Sequence, residues 1–439
     1  MAVPARFTGP LPAACDLVIV GAGVIGICTA LFAAQRGMRV VVCEKGRVAG
    51  EQSSRNWGWI RQQGRDLGEL PIMVESLRYW QGFSQKLGPG LGFRQAGVTY
   101  LAATDADLAR HQAWLDAAGP MDSRLLSRAE VARAFPALTT PVAGALHTAS
   151  DGRAEPFTAV PMLAAMASEA GVVIVEGCAV RALDVAGGQI AGVVTEQGRV
   201  ACAQVLVAGG AWSSLLLRNH AIALPQLSVR ASVSETGPLP DVCGGAVSLG
   251  AWAIRRRTDG GYTLTPSGGE VLPVGPDAVR SLRWYLPQLR RDPFGKPLRP
   301  AAPRGFPDAW TTPRRWSPDG ASPFEAMRVL DPAPDLRALD AARQAVMAAF
   351  PALGEVRLRS TWAGMIDTLP DIVPVLDRVA AMPGLWLATG LSGHGFGIGP
   401  GVGRVMADLL AGAAPGHDLT RFRFGRFAGP VRVDFGAAL

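Results

Sequence analysis

Three glycines and one carboxylate carry the first recognisable chemistry of this chain. Gly21, Gly23 and Gly26 give the spacing G-x-G-x-x-G, and Glu44 stands 23 positions after the first of them. The first glycine allows a tight turn, the second lets backbone approach a pyrophosphate, and the third lets a helix pack on a strand. A carboxylate at that distance accepts the hydroxyls of a ribose. The set reads as a dinucleotide site, with the phosphates at the unpaired N–H groups and positive end of a helix. A polar loop follows, KGRVAGEQSSRNWGWIRQQGRD, with two Trp and two Arg between Arg55 and Arg61. A loop leaving the second strand of a nucleotide-binding fold passes close to the ligand. Ser53, Ser54, Arg55, Asn56 and Gly58 are therefore candidate contacts.

The elements around these residues position them. Leu17 to Val20 are apolar and β-branched, as a strand buried on both faces should be. The helix after the glycines ends at Gly37, and Arg39 to Cys43 make the second strand. Leu17 to Ala34 carries no charge, but three spaced glycines and the terminal Glu make a poor membrane span. Strands are expected at 93–102, 172–175, 180–185 and 190–195, with a hairpin at Gly187-Gly188, and one more at 199–208. Helices are expected at 68–87, 105–118, 156–170, 277–289 and 336–350. LSVRASVSET alternates as a half-exposed strand does, and AWAIRRRTDGGYTLTP reads as a hairpin around Asp259-Gly260-Gly261. Two further Gly-turns, VLVAGGAWSS and LSGHGFGIGPGVGRVMADLLAG, each lead into a helix. The nucleotide fold is thus interrupted and resumed. The expected class is α/β (α+β): a Rossmann-like domain at 1–90, 150–218 and 362–439. A second, discontinuous substrate-binding domain at 91–149 and 219–361 is expected to rest on an antiparallel sheet, with an insertion at 267–321.

Composition narrows the function. With 49% apolar and 18% charged residues the chain is globular and not disordered. Six scattered cysteines without C-x-x-C, and five histidines without ligand spacing, argue against a metal site and a disulfide framework and fit a reducing compartment. The net charge of +7 comes without a basic run interleaved with aromatics, so nucleic acid is excluded as a partner. An anionic substrate or a membrane surface remains open. The opening MAVPARFTGPLPAAC has no apolar h-region, so neither a signal peptide nor an anchor is expected. The expected location is the cytoplasm, with a peripheral contact to the cytoplasmic membrane through the Pro-, Arg- and Trp-rich 267–321 as an alternative to a plain solvated loop.

Three Gly-turns at the start, middle and end of the chain belong to one ligand. With WAGMIDTLPDIVPVLD and TGLSGHGFGIGP, they resemble the FAD-dependent D-amino-acid oxidase / glycine oxidase (DAO) superfamily over nearly the whole length. EKGRVAGEQSSR, VLVAGGAWSSLLLRN, RRRTDGGYTLTP and ASPFEAMRVLDPAPDL look most like bacterial L-amino-acid deaminases, flavoproteins associated with the cytoplasmic membrane. The resemblance implies that Gly21, Gly23 and Gly26 hold the pyrophosphate and Glu44 the adenosine ribose, with Lys45 beside it. It places Ser53, Ser54 and Arg55 near the flavin and its phosphates, and Val180 at the adenine. Gly209, Gly210 and Trp212 would line the dinucleotide, and Gly390, Gly393, His394 and Gly395 would aim the last helix at the flavin N1–C2=O edge. The implied chemistry is hydride transfer from the α C–H of an amino acid to flavin N5, giving an imine that water converts to a keto acid and ammonia. The electron acceptor is O₂ or a quinone. The cofactor performs the hard step, so no obligatory acid–base residue is implied.

Four features depart from this pattern. No counterpart of the deaminases' N-terminal membrane anchor is expected from the opening residues. Ile366 stands where glycine oxidases carry the carboxylate-binding Arg, Trp59 stands at a glutamine position, and Ser267 at an arginine position. No Cys follows W-A-G and no His lies in the loop after Glu44, so the FAD is expected to be non-covalent. An α-amino acid still needs a partner for its carboxylate, normally a bidentate Arg. Arg61, Arg94, Arg230 and Arg255 are candidates, with Arg255 first. Trp59, Tyr262, Trp362 and His394 are candidate pocket residues, against the plainer reading of each as packing or backbone support. Two rival functions stay open: oxidation of a secondary amine (N-methyl, cyclic or opine-like amino acid), and a flavin-binding subunit of a larger assembly.

Overall fold

The computed structural model describes residues 6–292 and 297–436. Its principal elements run β1 (Leu17–Val20), α1 (Val24–Gln35), β2 (Val40–Cys43), α2 (Gln52–Arg55), α3 (Leu70–Leu87), β3 (Val98–Ala102), β4 (Ser123–Ser127), β5 (Gly144–Thr148), α4 (Pro156–Glu169), β6 (Val173–Val175) and β7 (Gln204–Val207). They continue through β8 (Leu227–Thr236), β9 (Ala246–Leu249), β10 (Trp252–Arg256), β11 (Tyr262–Pro266), α5 (Pro276–Arg291), β12 (Leu358–Thr368), β13 (Val375–Arg378), β14 (Leu385–Thr389) and α6 (Gly395–Leu410).

Two sheets dominate. The first has the strand order β13-β14-β7-β1-β2-β6. Its strands are parallel except for the edge pair β13–β14. The apolar run of each strand is explained by burial on both faces. Leu17, Ile19, Val40 and Val42 face one core with α1, α4 and α6, whereas Val18, Val41 and Cys43 face a second core with Trp212 and Leu215. The second sheet has the order β12-β8-β11-β10-β9-β3-β5-β4. Its neighbours are antiparallel apart from β3 and β9, which are parallel. The α/β class with a Rossmann-like sheet and a second sheet is the one observed, and that second sheet is mixed where an antiparallel one was expected.

Three other differences have local causes. The stretch 199–208 is not one strand. Gly198–Ala201 closes a small sheet with Gln189–Thr195, and β7 joins the parallel sheet. Cys202 and Ala203 carry the chain between the two, a bend that a continuous apolar reading hides. β4 was not foreseen because its sequence, SRLLS, buries only Leu126 at a sheet edge. The expected boundary at 361/362 falls inside β12, which pairs with β8 from Leu227↔Thr368 onward. Residues 293–296 of the expected insertion, and 1–5 and 437–439 of the expected nucleotide domain, lie outside the described residues.

The glycines of α6 have a packing role beyond the turn. A Cβ at Gly403 would lie 2.5 Å from Cys28 Cβ of α1, and one at Gly401 would lie 2.4 Å from Ile72 O of α3. α6 therefore settles against both helices at near-backbone contact, where any side chain would force them apart.

Candidate active site

The C-terminal ends of β1, β2, β7 and β14 open on one cavity of about 380 Å³, the place where parallel sheets bind ligands. The turns after these strands supply Gly21 and Gly23, then Glu44 and Lys45, then Gly209 and Gly210, then Gly393, His394 and Gly395. Gly21 adopts φ +106°, and a Cβ there would stand 2.7 Å from Ala208 O, so this turn requires glycine. Gly26 lies outside the cavity. Its Cβ would fall 2.0 Å from Gly21 O, which is the close helix–strand approach its spacing announced.

Glu44 is fixed before any ligand arrives. Its Oε2 accepts from the Ala22 N–H at 2.9 Å and its Oε1 from the Gly46 N–H at 2.8 Å. Burial pushes its carboxyl above the usual range, against the pull of Lys45 and these N–H groups. Ser53 accepts from the Val24 N–H at 2.9 Å and so ties α2 to the first turn of α1. Lys45 donates to Glu51 at 2.6 Å and to the carbonyls of Met327 and Arg328 at 3.0 Å, with its ammonium 4.4 Å from the Trp212 ring. The Trp212 indole N–H donates back to Glu51 at 3.1 Å. Arg55 pairs with Asp331 and donates to Ala363 O, while Asn56 accepts from the Gly58 N–H. Val180, Arg55 and Asn56 also line the cavity.

The far end of the cavity is aromatic. Trp59 is buried, 5.6 Å from the Trp57 ring and 6.1 Å from Tyr100, and the Arg61 guanidinium lies 5.7 Å from the Tyr100 centroid. Ala231 and Val233 of β8, with Gly364 and Ile366 of β12, form the facing wall. His394 and Arg65 complete this end.

Several expected residues are elsewhere. Arg255 does not line the cavity: its guanidinium donates to both Glu155 oxygens at 3.0 Å, to Trp57 O at 2.6 Å and to Thr263 at 2.9 Å. Only 1% of it is exposed, so it cannot present a fork to a carboxylate. Tyr262 is core, its hydroxyl donating to Pro240 O and accepting from the Val242 N–H. Trp362 donates to Arg55 O and packs on Phe157 outside the cavity. Arg94 is an exposed strand residue, and Arg230 pairs with Asp335. Ser54 donates to Glu51 O, Gly58 lies against Ala154 O, and the Gly390 N–H donates to Asp367 at 2.6 Å; none of the three lines the cavity.

Sequence reasoning missed Glu51, Arg65, Tyr100 and Asp367, all of which line the cavity. Burial raises the Asp367 carboxyl, and it holds the turn at Gly390. Glu51 stands inside the quoted polar run but ahead of its Ser-, Arg- and Trp-rich part, and nothing local marks Tyr100, since only the sheet brings it there. Among the described residues no cluster of His, Cys, Asp and Glu is arranged to hold a metal ion. All six cysteines are buried and unpaired.

A family model described as FAD dependent oxidoreductase (DAO) matches residues 16–409. The chain belongs to this family. Among solved structures, L-amino acid deaminase from Proteus myxofaciens in complex with anthranilate superposes with a TM-score of 0.91 at 30% identity, covering 98% of this chain and 97% of that one. L-amino acid deaminase from Proteus vulgaris gives 0.90 at 32% identity, covering 97% and 100%. Sarcosine oxidase subunit beta of Rhizobium meliloti (strain 1021) is 26% identical over 95% of this chain and 90% of its own. The protein is thus an FAD-dependent oxidoreductase of the kind that acts on amino acids and amines. The residues present fit FAD. Glu44 keeps lone pairs beyond its two backbone bonds, the Gly21–Gly23 turn leaves the α1 end open to the cavity, and α6 begins on the same cavity.

Proposed function

We propose that this protein oxidises an α-amino acid with a bulky, apolar side chain to an imine, which hydrolyses to a keto acid and ammonia. The observation that carries this reading is the far end of the cavity, where Arg61 lies against an aromatic wall of Trp57, Trp59 and Tyr100. Arg61 would take the carboxylate that Arg255 cannot reach, and the wall would hold the side chain by apolar burial. The likeness to two L-amino-acid deaminases supports the same substrate class.

FAD, held without a covalent bond, supplies the two-electron acceptor for the α C–H bond. Gly21, Gly23 and Ser53 would hold its pyrophosphate, Glu44 its ribose, Val180 its adenine, and the start of α6 the far edge of the ring system. The protein's own work is to orient. Ile366, Ala231 and Val233 exclude water, Arg61 fixes one end of the substrate, and the amine must reach the cofactor uncharged.

The partner reading concerns α5. Val279, Leu282, Leu286 and Leu289 form one exposed apolar stripe along it, flanked by exposed Arg280, Arg283, Arg290 and Arg291. Its other face is packed through Trp284 and Tyr285. An apolar stripe bordered by arginines fits the interface of an anionic membrane, with the helix lying in its plane. No helix among the described residues is long and apolar enough to cross one. A membrane contact agrees with a quinone as electron acceptor.

The test is an anaerobic absorbance titration of the FAD-loaded protein with L-amino acids, D-amino acids and N-alkyl amino acids. Bleaching of the ~450 nm band by bulky L- or D-amino acids, with an apparent affinity at least about tenfold weaker in Arg61→Ala, is the expected outcome. Bleaching by N-alkyl amino acids alone would replace this reading with secondary-amine oxidation, the activity class suggested by the sarcosine oxidase relative. A band that no member bleaches would leave a flavin-binding subunit.

A further inference from the structure

Two buried charged groups and a half-buried histidine meet at the aromatic end of the cavity, and the orienting role above uses none of their side chains. Glu69, at the start of α3, is 1% exposed, and Arg65 is 2% exposed. Arg65 donates to Glu69 Oε2 at 3.2 Å and to the carbonyl of His394 at 3.1 Å. The His394 Nδ1 lies 3.5 Å from the same Glu69 Oε2. Neither Nδ1 nor Glu69 Oε1 has a hydrogen-bond partner. The Nδ1 edge of the ring is thus turned inward, on a buried carboxylate, while the residue lines the cavity beside Gly393, itself packed near Ile366.

We propose that His394 is a catalytic base: its Nε2 takes the proton that the substrate ammonium loses before oxidation, while its Nδ1–H is held by Glu69. The proposal rests on the amine-oxidation reading. In this step an N–H bond of R–NH₃⁺ breaks and an Nε2–H bond forms. No electrons are transferred, and the positive charge passes from the substrate to the imidazole. Glu69 is the residue that offsets that charge and fixes the tautomer, so it acts as a positioning residue. Arg65 in turn holds Glu69 ionised in its buried site. The separation of 3.5 Å closes to a hydrogen bond once the ring is charged, as unliganded catalytic contacts commonly do.

The surroundings keep His394 neutral and ready to accept. It is the N-cap residue of α6, where the helix dipole opposes a cation. Burial first, then the charges of Arg65 and Arg61, lower its titration below the usual range, against Glu69. From β12, Asp367 turns its carboxylate to the Gly390 N–H and Thr389. A base that titrates below neutrality is free at pH 7, and a carboxylate behind it raises its basicity as the proton arrives.

The experiment has two arms on the FAD-loaded full chain. Nitrogen NMR of protein labelled at its five histidines resolves the His394 ring, assigned by its loss in His394→Gln. The expected signal is the Nδ1–H tautomer, with a titration that moves down by about one pH unit in Glu69→Gln. The Nε2–H tautomer, or a titration that Glu69→Gln leaves in place, overturns the pairing; where Glu69→Gln does not fold, the wild-type tautomer decides. In the second arm, the rate of anaerobic flavin bleaching by the best amino acid falls at least about 100-fold at pH 7 in His394→Gln and recovers above the pKa of the amine. Equal loss at every pH overturns the base. Bleaching by no amine sinks the reading on which the base rests, and the NMR arm still reports whether the His394–Glu69 pair exists.

Discussion

At position 255 a guanidinium is enclosed on three sides, by Glu155, Thr263 and the carbonyl of Trp57. From sequence it is the first residue of an RRR run on a hairpin, and nothing local reveals that its partner stands 100 residues earlier. Long-range charge pairing is the kind of information a linear pattern does not carry, and so Arg255 was placed in the cavity and Arg61 ranked below it. Fixed-spacing chemistry is different. Gly21, Gly23 and Glu44 act through backbone geometry that their spacing alone specifies, and they line the cavity as read. Arg255→Ala would leave Glu155 largely buried without its main partner, a change that costs about 3–5 kcal/mol. We expect a matching loss in denaturant unfolding, with the apparent amino-acid affinity of the folded fraction near that of wild type. A folded variant of normal stability that bound substrate tenfold more weakly would return Arg255 to the site.

At the scale of elements, periodicity located helices well. The stretch 105–118 agrees residue for residue, and α5 extends the expected 277–289 by a residue at its start and two at its end. Strands fared less well where one apolar run serves two sheets, as at 198–207. What periodicity did not announce is that the apolar stripe of α5 is left uncovered. Flotation with anionic liposomes reads it directly. The protein should rise with vesicles containing phosphatidylserine at low salt, and the double variant Leu282→Glu/Leu286→Glu should stay behind. Equal flotation of the two proteins would show that the stripe is not the contact.

For the molecule as a whole, the meeting of three Gly-turns, far apart in sequence, on one cavity was legible from their pattern. The mixed pairing of the second sheet was not, because β3 meets β9 across nearly 150 residues. The cavity joins turns of the first sheet to walls of the second, so a ligand that fills it stabilises both. FAD at 100 times its dissociation constant adds about 2.7 kcal/mol, which for a chain of this size raises the unfolding midpoint by roughly 3–5 °C. Gly26→Ala, whose methyl would meet Gly21 O, should abolish that rise in calorimetry; an unchanged rise would mean that the turn tolerates the methyl. The contact between Gly403 and Cys28 has a consequence in time. At ~5–20 residues per second, the ribosome needs roughly 20–75 s to travel from the first of these helices to the second. For that interval one wall of α1 has nothing to lie against, and the cofactor has no finished cradle to enter. Newly made chains therefore wait, sticky and colourless, and flavin loading becomes a late event that follows the synthesis of α6.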